Sequence, residues 1–212
     1  MSQAKKDAYA LQAASIIKKL EKRNMEGFYF DTAKDAVEYI LSTIPEGSSV
    51  TWGGSETLAE SGMLDALKNG NFEVWDRDLA KTLEEKKAFY QKSVGADYFF
   101  MSTNAITLEG ELVNIDGNGN RVACLIHGPE HVIILAGMNK VVPDIKSAVP
   151  RIQNCASPAN AARLHTNTPC EKTGCCGDCH APGCMCCEIV VTRHSRHNDR
   201  IKVFLIGEEL GF

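Results

Sequence analysis

The chain has 212 residues, 44% of them apolar and 24% charged, with a formal net charge of −4 and a pI near 5.9. These values describe an ordinary soluble globular chain, long enough to bury a sizeable core. They exclude a general binder of polyanions. The most basic stretch, Arg193 to Arg200, has no interleaved aromatics and reads as a solvated turn rather than a nucleic-acid patch.

The N-terminal stretch MSQAKKDAYALQAASIIKKLEKRN lacks the apolar core of roughly 7–15 residues and the small-residue cleavage site of a secretory leader. It reads as an amphipathic helix, with Leu11, Ile16, Ile17 and Leu20 on one side and lysines on the other. No apolar run approaches the roughly 20 residues needed to span a bilayer. The expectation is a cytoplasmic protein without membrane or nucleic-acid partners, in which thiols stay reduced.

Asp31 is placed to cap a second helix running through Ile40 and Leu41 and ending before Pro45-Glu46-Gly47. Ser49–Trp52 reads as a short strand, and Gly53-Gly54-Ser55 turns into a helix from Glu56 to Lys68, ended by Asn69-Gly70. Phe72–Trp75 is a second strand, Asp78 a cap for a helix to Lys92, and Tyr98–Met101 a third strand. Short strands alternating with helices signal a parallel α/β sheet. The runs 111–115 and 121–126 flank Asp116-Gly117-Asn118-Gly119-Asn120 and read as an inserted antiparallel hairpin. His131–Ala136 is a buried strand, Gly137-Met138-Asn139-Lys140 leads into a helix ending near Leu164, and Glu188–Thr192 with Ile201–Ile206 form a closing strand pair. The reading is one domain over residues 1–212: helices in 1–45, a mostly parallel sheet flanked by helices, the hairpin, and a Cys-rich knuckle at 168–190.

Seven of the nine cysteines lie between Cys170 and Cys187. Within that segment Cys170, Cys176, Cys179 and Cys186 are spaced so that short turns can bring several sulfurs to one ion. Cys175, Cys184, Cys187 and His180 are secondary candidates. Thr173-Gly174, Gly177-Asp178 and Pro182-Gly183 supply the turns. The metal is Zn²⁺ or an iron–sulfur cluster; the spacing matches neither usual pattern well. Disulfides would need an oxidising compartment. Cys124, in an apolar run, reads as a small buried hydrophobe.

In an open α/β sheet, ligands bind at the carboxyl ends of the strands. There Gly53, Gly54, Ser55, Glu56 and Thr57 make a candidate anion site, with backbone N–H groups and hydroxyls at a helix start. The alternative is a plain glycine turn with Ser55 as N-cap. Asn104 could orient a carboxylate or sugar hydroxyl, and Glu109 and Glu111 are candidate acid/base groups, with exposed turn carboxylates as the alternative. No Walker pattern, GxGxxG, HExxH helix or Ser/His/Asp order is present.

The run from Ser102 to Ala123 (STNAITLEGELVNIDGNGNRVA), with Gly128-Pro129 and Gly137-Met138-Asn139-Lys140, resembles the LUD-domain family, which is linked to lactate utilisation. The resemblance extends over most of the chain. It implies a branch of the ribose-phosphate isomerase, glucosamine-phosphate deaminase and CoA-transferase-like fold. By that resemblance Gly53, Gly54, Ser55 and Thr57 would hold phosphate, with Asn104 and Glu109 near the ligand as candidate catalytic groups. It also implies metal ligation by Cys170, Cys176, Cys179 and Cys186, which this chain supplements with Cys175, Cys184 and Cys187.

Two functions are compatible with these features. One is a role in lactate or small-carboxylate metabolism, with a small anionic ligand in the cleft and a metal centre serving oxidoreductase subunits. The other is a non-catalytic ligand-sensing or assembly protein with structural zinc. A homo-oligomeric state is left open.

Overall fold

The computed structural model describes residues 1–212, which build two sheets. The larger has six parallel strands, β1 (Glu26–Phe30), β2 (Ser49–Trp52), β3 (Glu73–Trp75), β4 (Tyr98–Met101), β7 (His131–Gly137) and β10 (Ile201–Ile206), in the order β1-β10-β7-β4-β2-β3. The smaller is mixed, with β5 (Ala105–Thr107), β6 (Leu112–Asp116), β8 (Val141–Val142) and β9 (Glu188–Thr192) in the order β8-β5-β6-β9. The α/β class with a parallel, helix-flanked sheet is therefore as the sequence indicates.

Side chains alternate across a strand, so a central strand covered on both faces must be apolar throughout. Phe99, Met101, Val132, Ile134, Val203 and Leu205 face one core; Phe100, Ile133, Leu135, Phe204 and Ile206 face the other. Helix α1 (Gln3–Lys22), capped by Ser2, covers the first face with Ala13, Ile16 and Leu20. Leu11 is 75% exposed, contrary to the sequence reading. Five residues turn a helix by about 140°, which carries Leu11 off the Ile16 stripe, whereas Ala13 falls on it. The second face is covered by α2 (Ala33–Thr43), α3 (Glu56–Glu60) and α4 (Met63–Asn69). Each fully buried Phe or Leu here contributes on the order of 1.5–3 kcal/mol.

Several local expectations are corrected. Thr32, not Asp31, caps α2, its hydroxyl accepting from Asp35 N–H. Residues 1–45 hold the edge strand β1 as well as helices. The helix expected over 56–68 breaks at Gly62, whose φ of +77° is left-handed. Asp78 lies in a short 3₁₀ turn, and α5 (Leu83–Ser93) starts at a Thr82–Glu85 capping box. Residues 121–126 are not a strand: α6 (Asn120–Ile126) buries Val122, Cys124 and Leu125 at helical spacing, after Asp116 Oδ1 accepts from the N–H groups of Asn118 and Gly119. The antiparallel hairpin comes one step earlier, between β5 and β6. Nor do β9 and β10 pair. β9 lies beside β6, and β10 enters the large sheet between β1 and β7.

The helical segment before the cysteines is α7 (Ile145–Arg151), a π turn (Ile152–Ala156) and α8 (Ser157–Leu164). Pro150 lacks an N–H to donate, which helps loosen the ladder where the π turn begins. A short helix α9 (Pro169–Thr173) opens the cysteine-rich segment.

Candidate functional site

The carboxyl ends of β2, β3, β4 and β7 open on a cleft of about 520 Å³, closed on its far side by the 115–121 turn and by α8. The residues after β2 line it from Trp52 to Thr57, those after β4 as Ser102, Thr103 and Asn104, and those after β7 as Lys140. The topology thus delivers residues separated by some 90 positions to one cavity.

Lys140 is the feature that sets the cleft's character. Its side chain sits in the buried wall, with the residue 3% exposed. Nζ donates to Thr57 Oγ1 at 2.8 Å and Ser102 Oγ at 3.1 Å, and no carboxylate pairs with it. Burial, reinforced by the positive charges of Arg151 and Arg121, pushes its pKa down to about 7.

Arg121 stands beside it. Nη1 donates to Ser102 O (3.1 Å) and Asn114 Oδ1 (2.6 Å), and Nη2 to Asn104 Oδ1 (2.8 Å) and Ile115 O (2.9 Å). Nε lies 3.7 Å from Asp116 Oδ2. Burial draws its pKa below the ordinary guanidinium range, yet a guanidinium stays protonated. Gly53 makes room for it: a Cβ there would lie 2.9 Å from Arg121 Cγ. Arg151, from α7, donates to Asn104 O and Asn139 O. Arg77 and Arg163 line or edge the cleft, the latter paired with Glu56 Oε2 at 3.1 Å. The cleft's carboxylates have partners: Glu56 has Arg163, Asp116 has backbone N–H groups and Arg121, and the exposed Asp78 at the rim lies 3.8 Å from Arg77 Nε.

The residues singled out from sequence divide. Gly53, Gly54, Ser55, Glu56, Thr57 and Asn104 all line the cleft. Ser55 Oγ accepts from Leu58 N–H as an N-cap, and α3 is a single short turn with little macrodipole, so positive potential here comes from side chains rather than a helix end. Asn104 is a scaffold. Its Oδ1 accepts from Arg121 and Ile115 N–H, and its carbonyl accepts from Arg151. Glu109 is not in the cleft. It sits on the exposed β5–β6 turn, its carboxylate 2.7 Å from Lys19 Nζ of α1, and that partner holds its pKa below the carboxylate range. Glu111 is likewise tied to Arg23 and Thr107. Sequence reasoning missed Lys140 and Arg121. The signal for Lys140 was a lysine closing the apolar run HVIILAGMNK, where it could not reach solvent.

The cysteine-rich segment borders a second cavity of about 390 Å³. Cys170, Cys176, Cys179, Cys184, Cys186 and Cys187 line it together with His180, and Cys175 does not. A wall of thiols has the donor chemistry of a soft-metal site. No three His, Cys, Asp or Glu side chains converge closely enough here to hold an ion. Cys186 Sγ donates to Ser157 Oγ at 3.2 Å, and burial pushes its pKa up. Ser157 and Met185 line both cavities, so cleft and cysteine pocket share a wall. Cys124 is buried, its pKa pushed up to about 11 by burial. No helix is long and apolar enough to cross a membrane.

Comparison with solved structures finds a DUF162 family protein from Deinococcus radiodurans, 11% identical, with a TM-score of 0.54 over 93% of this chain and 98% of that one. Two weaker likenesses have TM-scores of 0.37 and 0.34: eIF2B delta from Chaetomium thermophilum (19% identity, 56% of this chain, 50% of that one) and ribose 5 phosphate isomerase A from Neisseria gonorrhoeae (13%, 53% and 54%). No curated protein matches. The family model for the LUD domain matches residues 13–206, from the first buried turn of α1 to the end of β10. The chain belongs to the LUD-domain family.

Proposed function

We propose that this LUD-domain chain binds a small carboxylate- or phosphate-bearing molecule in the strand-end cleft, in lactate or related small-carboxylate metabolism within the cytoplasm. The observation that carries the reading is Lys140, a lysine buried among hydroxyls with no carboxylate partner, beside the guanidinium of Arg121. Burying an ammonium without a counter-ion is costly. A bound anion would supply that counter-ion. Gly53, Gly54, Ser55 and Thr57 shape the wall against which it would lie.

The second part of the proposal concerns the cysteines. Cys170, Cys176, Cys179 and Cys186 would take Zn²⁺ or an iron–sulfur cluster after the 170–187 loop closes, supported by the six thiols already facing one cavity. An iron–sulfur centre would pass electrons to oxidoreductase subunits, and zinc would pin the loop. Calorimetry with sulfate on the full chain and its Lys140→Met variant tests the cleft. Binding of equal strength in both rejects it. Metal analysis with an absorption spectrum on protein purified without oxygen tests the pocket, and a metal-free, colourless protein rejects it.

A further inference from the structure

A buried lysine that serves only packing or charge balance is usually paired with a carboxylate. Lys140 is not. Its Nζ ends in the cleft wall between two hydroxyls, Thr57 Oγ1 at 2.8 Å and Ser102 Oγ at 3.1 Å. Ser102 is bonded from both ends: its hydroxyl takes the amine, and its carbonyl takes Arg121 Nη1 at 3.1 Å. An amine and a guanidinium therefore flank one residue. The desolvated amine, held to a pKa of about 7, is a neutral nucleophile in a large fraction of molecules at neutral pH. The carboxylates Glu56 and Asp116 in the cleft are engaged by Arg163, Arg121 and backbone N–H groups, so neither neutralises Lys140.

We propose that Lys140 forms an imine with a small 2-oxo acid bound in the cleft. The inference rests on the cleft being an anion site, and it names the ligand's reactive group. A 2-oxo acid carries its carbonyl next to its carboxylate, so one compact molecule presents its carbonyl to the amine and its carboxylate to the positive field that Arg121 and Arg151 set up around Lys140, Arg121 acting by charge because its N–H groups are already engaged. The lone pair of neutral Nζ attacks the carbonyl carbon, the C=O π pair moves to oxygen, and one of the nitrogen's two protons passes to that oxygen. The carbinolamine hydroxyl then leaves as water with the nitrogen's second proton, while the nitrogen lone pair forms the C=N bond. The net reaction is amine plus ketone to imine plus water, with no oxidant or reductant. Thr57 and Ser102 hydroxyls, within hydrogen-bond reach of Nζ, relay the protons.

The test treats the full-length protein with pyruvate and sodium cyanoborohydride, followed by intact mass measurement and peptide mapping. The expected result is one reduced adduct per chain, on Lys140. It is absent from Lys140→Arg, which keeps a positive charge but removes the nucleophilic amine; circular dichroism confirms that this variant is folded. Lys140→Met, also without adduct, guards against misfolding of the arginine variant. Pyruvate that binds by calorimetry without an adduct overturns the imine and leaves the anion site standing. Sulfate binding without pyruvate binding does the same. Failure of both ligands to bind overturns the anion site and the imine with it. Adducts spread over exposed lysines, or persisting in Lys140→Arg, also overturn the assignment.

Discussion

Anion binding in the cleft should fall steeply as pH rises above about 7, and Lys140 should be the cause. In the free protein its pKa is held near 7 by burial first, then by Arg151 and Arg121; Glu60 and Cys155 are the remaining charged or ionisable neighbours. A divalent anion in contact with Nζ favours the ammonium. At about 4 Å, with an effective dielectric near 20, one unit of that charge is worth about 4 kcal/mol, or about three pKa units. The bound-state pKa then approaches the ordinary lysine value of 10.5. The sign follows directly. Below pH 7 the amine is charged in both states and affinity is flat. Between pH 7 and the bound pKa each anion must bring a proton, and affinity drops up to about tenfold per pH unit. Isothermal calorimetry with sulfate from pH 6 to 9 measures this. Buffers of different ionisation enthalpy should report uptake approaching one proton per anion near pH 8. Lys140→Met should bind more weakly at pH 6 and lose the slope. A flat profile in the wild type, or an unchanged slope in Lys140→Met, would refute the reasoning.

Three further outcomes are expected. Arg200, buried, donates to the carbonyls of Pro129, Leu125 and Cys124 at 3.1, 2.7 and 2.9 Å, so Arg200→Ala should cost about 3 kcal/mol or more in denaturant unfolding, against under about 1 if those bonds are dispensable. Replacing Cys176 and Cys179 together by serine should remove bound metal; full metal stoichiometry in that variant sinks the ligand assignment. Glu109→Gln should leave sulfate affinity unchanged, because its carboxylate meets Lys19 outside the cleft; a tenfold loss would return Glu109 to the site.

Much of the fold was legible, because the strands of the parallel sheet are short apolar runs bounded by turn residues. β2 and β4 coincide with the runs Ser49–Trp52 and Tyr98–Met101. The errors have physical sources. RVACLI has the composition of a strand, and only its burial at helical spacing makes it α6. EGFYF was overlooked as β1 because its five residues are all half-buried at the sheet edge, between the strongly patterned helices α1 and α2. β9 and β10 are adjacent in sequence with a polar turn between them, which is also what a hairpin looks like; their separation is a tertiary decision, set by which sheet each completes. At the site, the glycine–hydroxyl loop was readable because its composition is local. Lys140 and Arg121 were not, since one matters for having no carboxylate partner and the other for the oxygens it gathers around the cleft, and partners are assigned by the fold.

The position of β10 bears on how the protein is made. β1 pairs with no strand but β10, so the first strand of the chain waits for residues 201–206 before it acquires a sheet neighbour. During synthesis β2, β3, β4 and β7 can assemble as they emerge, while β7 keeps an open edge and the Phe204 and Val203 faces of both cores stay empty. Loop closure over so long a separation is paid late and favours slow folding with a transient, exposed strand edge. A nascent chain arrested after Thr192 is thus the species most in need of chaperone protection.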